Sequence, residues 1–364
     1  MRPPVPRNPF GPARTRPRWQ VTAASAAAVV GAVALILGFW TALTWFGPGP
    51  EARRGEATTV VLRRGAGLSE IADALDSAGA IRSAGVFMLA ARLSGAAGEL
   101  KAGEYAVPSR ASMADVLGRI RRGEVVRHFV TIPEGVTSEM AVEILMRSPV
   151  LTGAAAVPPE GSLLPETYDV QRGEDRGAVL ARMMAAQETL IRQLWPQRAP
   201  DLPVRSPEEA VILASIVEKE TAVPAERPRV AAVFVNRLNQ GMRLETDPTV
   251  IYGLTGGRPL GRGLRRSELA AMTPYNTYLI PGLPPGPIAN PGRASIAAVL
   301  NPPKTEELFF VADGTGGHVF AKTFDQHLRN VARWREVERN RAAAAAAEAQ
   351  SGGRPLDAGL QGAG

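Results

Sequence analysis

From Trp19 to Pro50 the chain carries no charged residue, and inside that stretch Val21–Phe46 is apolar up to a Gly-Pro-Gly-Pro break. At about 1.5 Å per residue, a helix over this segment reaches across a hydrocarbon core of roughly 30 Å. A cleaved signal peptide is the competing reading. The segment is too long for its apolar region, and no clean A-x-A site follows, so an uncleaved anchor is expected. Arg2, Arg7, Arg14, Arg16 and Arg18 precede it with no acid among them, while Glu51, Arg53, Arg54 and Glu56 follow as a mixture. Lys and Arg excess marks the cytoplasmic side of a span. The sequence therefore predicts a cytoplasmic basic tail over residues 1–18 and a transmembrane helix over 19–47. Everything from about residue 50 is expected outside.

That charge distribution also bears on nucleic acid. The formal net charge is +7, but residues 1–18 hold five arginines and no acid, which leaves +2 for the rest of the 364 residues. A nearly balanced chain offers no electrostatic footprint for phosphates, and no nucleic-acid partner is expected. Cysteine is absent, which removes disulfides, thiol nucleophiles and thiolate metal sites. The histidines are His128, His318 and His327, with no HExxH pair, so no metal site is expected.

After a short polar linker, Thr58–Leu62 has the β-branched run of a strand, and Gly67-Leu68-Ser69-Glu70 opens a stretch with Ile71, Leu75, Ile81 and Phe87 at helical spacing. This resembles strand, helix, helix, and a similar unit ends at Leu117, Ile120 and Gly123. Residues 57–125 thus read as a small α+β module. A larger mixed α+β domain is expected over 129–340, beginning with the strand-like Phe129–Ile132, the turn Pro133-Glu134-Gly135 and an amphipathic helix carrying Met140, Val142, Ile144 and Leu145. Residues 341–364 lack apolar periodicity and bulk, and they are expected to be disordered past a helical end.

Ser206-Pro207-Glu208-Glu209 is a capping box with proline at the first helical position. The helix it starts is apolar or small on every face over 210–217, hence buried, and Pro224 forbids its extension. Glu218 falls on the stripe of Val211, Ala214 and Ser215, whereas Glu220 lies about 160° away beside Leu213 and Ile216. A carboxyl at the end of a buried helix loses solvation and meets the negative end of the helix dipole, and both favour the proton-carrying form that a general acid needs. The same two glutamates also suit a salt-bridge network with Lys219, Arg227 or Arg229, and the helix alone does not decide between these readings.

Further segments decide it. EGSLLPETYD at 160–169, ILASIVEKET at 212–221, then VAAVFVNRLNQGMRLETDPTVIYGL, PYNTYLIPGLPPGPIANPG, AVLNPP and LFFVADGTGGHVFAKTFDQH occur in this order. Together they resemble the endolytic murein transglycosylases of the YceG-like family, over about residues 57–338. The resemblance implies an α+β fold with one N-terminal transmembrane helix, a LysM-like module at 57–125 and a YceG-like catalytic domain. It implies a lyase, without cofactor, that cuts the MurNAc-GlcNAc bond inside peptidoglycan strands and leaves 1,6-anhydro-MurNAc ends, limiting the length of nascent strands. One acid residue suffices: it protonates the glycosidic oxygen, then takes the proton of the sugar's own C6 hydroxyl. The family's catalytic glutamate maps onto Glu218. The implied location is the inner membrane with the catalytic domain in the periplasm, and the implied partners are glycan strands and peptidoglycan synthases.

Polar and aromatic side chains that bind sugars are sought in the same segments: Arg237, Glu245, Asp247, Thr249, Tyr252, Tyr275, Asn276, Tyr278 and Asn290 are the candidates. Each also has a structural alternative, since Gly241 ends one helix and Asp247-Pro248 opens another segment. Glu245 departs from the family pattern, which has glutamine there. Asp313-Gly314 reads as a hairpin, with His318 supporting the fold. Two other functions stay open: a hydrolase using Glu166, Glu220 or Glu245 as a second carboxylate, and a glycan-binding division or elongation scaffold without turnover. The topology is tested by a reporter fused after residue 364, which is expected to be active only outside the cytoplasm.

Overall fold

The computed structural model describes residues 18–351, with side chains from 26 to 346. The basic tail and the last part of the C-terminal tail discussed above lie outside the described residues. The chain divides into two compact units, Met1–Arg127 and His128–Gly364.

The first unit opens with helix α1 (Arg18–Phe46). Its segment Ala26–Phe46 has a mean hydropathy of 2.2 and contains no buried residue, with Val30, Leu35, Ile36 and Phe39 all exposed. Among the described residues this is the one helix long and apolar enough to cross a membrane. Strand β1 (Ala57–Leu62), helices α2 (Leu68–Ser77) and α3 (Ala84–Leu93), strand β2 (Gly103–Pro108) and helix α4 (Met113–Arg122) follow. β1 and β2 pair antiparallel from Ala57↔Pro108 to Leu62↔Gly103. Ser112 caps α4 by accepting from the Asp115 N–H, and Gly123 ends it in the left-handed region at φ 73°, where a side chain is penalised. Leu75, Phe87, Tyr105 and Ile120 fill the core between sheet and helices.

The second unit starts with β3 (His128–Thr131), α5 (Ser138–Arg147), β4 (Leu151–Thr152), β5 (Thr167–Val170), β6 (Glu174–Asp175) and α6 (Arg176–Leu194). β3 pairs antiparallel with β5, and the short β4 and β6 run parallel. Val130, Leu145, Leu163 and Met183 close a small core among them. A larger core is helical, built on α7 (Pro207–Glu220), α8 (Arg227–Asn239), α9 (Asp247–Thr255), the single turn α10 (Arg266–Leu269) and α11 (Arg293–Leu300). Leu213, Ile216, Val230, Phe234, Ile296 and Val299 interlock there. The hairpin β7 (Phe309–Ala312) and β8 (His318–Ala321) lies where Asp313-Gly314 implied, and helix α12 (Phe324–Ser351) follows. The fold is mixed α+β, although among the described residues none of the four sheets has more than two strands.

The C-terminal tail begins with a helical end: α12 continues to Ser351. Alanine has the strongest helix propensity of any residue, and the exposed alanines 342–346 extend the helix.

Candidate active site

Helix α7 begins as its sequence suggests. Ser206 Oγ accepts the Glu209 N–H at 3.2 Å, and the return half of the box falls one residue early, with the Arg205 N–H donating to Glu209 Oε2 at 2.6 Å. The helix then buries Ala210, Val211 and every residue from Leu213 to Glu218. That helix sets Glu218 at its C-terminal end with a side chain only 3% exposed.

Two donors hold the Glu218 carboxylate. Arg227 Nη2 donates to Oε1 at 3.0 Å, and the Gly292 N–H donates to Oε2 at 2.9 Å. Arg227 lies nine residues along the chain and Gly292 seventy-four. Arg227 is the first residue of α8, and the turn before it is braced by His318, whose N–H and Nδ1 both meet Glu226 at 2.7 Å. This bears out a supporting role for His318. Gly292 ends the Pro/Gly-rich loop, which Ser215 Oγ fastens to α7 by accepting the Ile288 N–H at 3.0 Å. The same loop is joined to the turn before α5: the Gly135 N–H donates to Asn290 O at 3.0 Å, and the Asn290 N–H to Val136 O at 2.9 Å.

That turn carries Glu134, which the sequence reading passed over. The same Arg227 Nη2 that bonds Glu218 donates to Glu134 Oε2 at 2.9 Å, so the two carboxylate oxygens lie within about 6 Å of each other. Glu134 also lies against Gly292, where an added Cβ would stand 2.0 Å from its Oε1; only glycine admits this approach. Lys219 completes the turn by donating to Gly135 O at 3.2 Å. The one available signal for Glu134 was a charged residue held between Pro133 and Gly135.

Glu220 occupies different surroundings, as helix geometry implied. It forms no link to Arg227 or Arg229; it accepts from Thr246 Oγ1 at 2.8 Å. Burial holds its carboxyl above the ordinary carboxylate range and Asp247 adds to this, while the Thr246 hydroxyl and His318 act the other way. Glu220 lines a cavity of about 440 Å³ with Arg237, Glu245, Asp247 and Tyr278, walled by Phe309, Phe310, Phe324 and His327. Here Arg237 Nη2 donates to Glu245 Oε2 at 2.7 Å, so the extra charge of Glu245 is neutralised locally. Glu245 takes φ 52°, a left-handed conformation unusual for a residue with a side chain. Tyr278 donates to Asp247 Oδ1 at 2.8 Å, and burial together with that carboxylate holds the phenol proton firmly.

The other candidates divide. Tyr252 and Tyr275 pack with their rings tilted and centroids 4.8 Å apart, and burial pushes the Tyr252 phenol up to about 12, with Glu160 beside it. Thr249, Asn276 and Asn290 are fully buried and spend their hydrogen bonds inside the protein. Asn276 Nδ2 donates to Leu269 O and Ala271 O, and Thr249 joins Thr277 and Thr246. Asn290 Oδ1 accepts the Leu163 N–H, while Nδ2 donates to Val136 O and Glu160 Oε1. The side chains of these three shape the loops from inside the protein. Of the proposed second carboxylates, Glu166 is exposed beside β5, and neither Glu220 nor Glu245 shares the donors of Glu218.

Comparison with known proteins gives a match to the YceG-like family over residues 60–333. The chain is 28% identical over 332 residues to the endolytic murein transglycosylase of Streptococcus pneumoniae serotype 2, covering 78% of this chain and 59% of that protein. It is 38% identical over 170 residues to the endolytic murein transglycosylase of Bacillus subtilis, covering 47% and 46%. The chain thus spans about half to six-tenths of the length of these curated relatives. A crystal structure of a putative yceG-like protein from Listeria monocytogenes is 28% identical, with a TM-score of 0.48, covering 75% of this chain and 98% of that one.

The setting of Glu220 generates a pH test. Because its folded-state carboxyl is held high, the neutral form is favoured on folding. That contribution is complete below the ordinary value of about 4.3 and is lost as pH rises through the elevated folded value. Glu220→Gln cannot ionise. In urea unfolding from about pH 4 to pH 8, the stability of the parent relative to this variant is expected to fall with rising pH; a constant difference would contradict the assignment.

Proposed function

The chain belongs to the YceG-like family, and we propose that it is a lytic transglycosylase of peptidoglycan in which Glu218 acts first as acid and then as base. The observation that carries this reading is the enclosed Glu218 carboxylate, fixed at the end of a buried helix by Arg227 and the Gly292 N–H. The relatives named endolytic murein transglycosylase support the substrate class. A proton from Glu218 passes to the oxygen between MurNAc and GlcNAc, and the bond to the muramyl C1 breaks. The carboxylate then takes the proton of the C6 hydroxyl as that oxygen closes on C1, giving the 1,6-anhydro end. Glu218 finishes protonated, as it began, and water takes no part.

In the same reading, Arg237, Glu245, Asp247 and Tyr278, with the cavity's aromatic wall and the Tyr252–Tyr275 pair, meet the glycan away from the reacting bond. Helix α1 anchors the chain in the inner membrane with the catalytic unit in the periplasm. The strand, helix, helix, strand order of residues 57–108 supports a LysM-like module that holds glycan. Cutting within nascent strands beside peptidoglycan synthases would limit strand length. A hydrolase is the second reading, favoured by a second carboxylate, Glu134, that shares Arg227 Nη2 with Glu218.

Glu218→Gln keeps the side chain's size but can neither give nor take the proton. It is expected to lower glycan cleavage roughly 10²–10⁴-fold while the protein stays folded and binds glycan, with Glu220→Gln costing far less. Mass analysis of the released glycan checks both, and full activity in Glu218→Gln would overturn the mechanism.

A further inference from the structure

Both oxygens of Glu218 are engaged by groups that only donate. Arg227 has no lone pair to offer, and neither does the Gly292 N–H. This arrangement suits the ionised carboxylate, the form that takes a proton. To act as acid, Glu218 must carry a proton on one of these oxygens, a form that a cation drawn away from the carboxyl favours.

The two donors differ in freedom. Gly292 belongs to a loop joined by paired backbone hydrogen bonds to residues 135–136 and fastened to Ser215, so its N–H is fixed. Arg227 is a side chain, and it already touches a second carboxylate through the same nitrogen. Its Nε is buried without a partner, so the guanidinium is not locked by a full set of bonds. Glu134 is 41% exposed against 3% for Glu218, which leaves it room to follow the guanidinium.

We propose that Glu134 is a positioning residue that takes over Arg227 whenever Glu218 carries the proton and shares it again when Glu218 is ionised. The inference rests on the reading of Glu218 as acid and base. The charged groups facing Glu218 are Arg227 from α8, Glu134 from the turn before α5 and Lys219 from α7, whose Nζ is bonded to Gly135 O. Arg227 is thus the cation in contact with Glu218, and Glu134 is the anion that shares it. Without the Glu134 charge, Arg227 stays on Glu218 and the proton becomes harder to keep there.

The test is a pH–rate profile of full-length Glu134→Gln and Glu134→Asp in detergent, acting on isolated glycan strands. In Glu134→Gln the alkaline limb of kcat/KM is expected to move down by about one pH unit, a roughly tenfold loss on that side, with KM little changed. Glu134→Asp, which keeps the charge, is expected to recover most of the profile. An unmoved limb overturns the proposal. So does an equal loss at every pH, which a structural role or a covalent role for Glu134 would give. Glu218→Gln separates the two claims: if it stays active, the acid–base reading falls and this inference with it. If it is inactive while Glu134→Gln keeps the parent profile, only this inference falls.

Discussion

A carboxylate held at the end of a buried helix is stable only if its charge is answered, and in this protein that requirement organises much of the second unit. Glu218 is answered by a guanidinium and a backbone N–H. An unpaired buried charge costs several kcal/mol, so each supplier has to be brought close and kept there. Arg227 comes from the first turn of α8, braced by the Glu226–His318 link; Gly292 comes from a proline-rich loop tied to Ser215 on α7 and to the turn before α5. The packing of α7 against α8 and α11 fixes the starting points of both.

The same helix end separates two carboxyls two residues apart. Glu218 meets an arginine and a backbone N–H on one side, while Glu220 meets a hydroxyl and a partly aromatic cavity on the other. Burial without a cationic contact favours the neutral form of Glu220, which then behaves as a polar wall group. Position on one helix, and not residue type, gives the two glutamates their different partners.

Local features of this architecture were legible in the sequence. Ser206 and its following Pro-Glu-Glu marked the start of α7, the unbroken apolar run marked its burial, and the 200° between residues 218 and 220 gave them different neighbours. The anchor-length helix and the 309–321 hairpin were readable for similar reasons, because each depends on residues close in the chain. Glu134 was not readable as part of the site, since its meaning comes from residues 227 and 292, more than ninety positions away. Asn276 and Asn290 looked like sugar ligands because a polar side chain in a loop has the same sequence signature whether it faces solvent or binds three backbones together. Only burial separates the two cases.

The central claim is that Glu218 serves both halves of a reaction whose nucleophile belongs to the substrate. Digestion of purified glycan strands in water enriched in heavy oxygen, followed by mass analysis of the new ends, tests it most directly. The account predicts 1,6-anhydro ends carrying no label. Reducing ends carrying heavy oxygen would contradict it, because they would mean that water, activated by a second carboxylate, attacks the sugar.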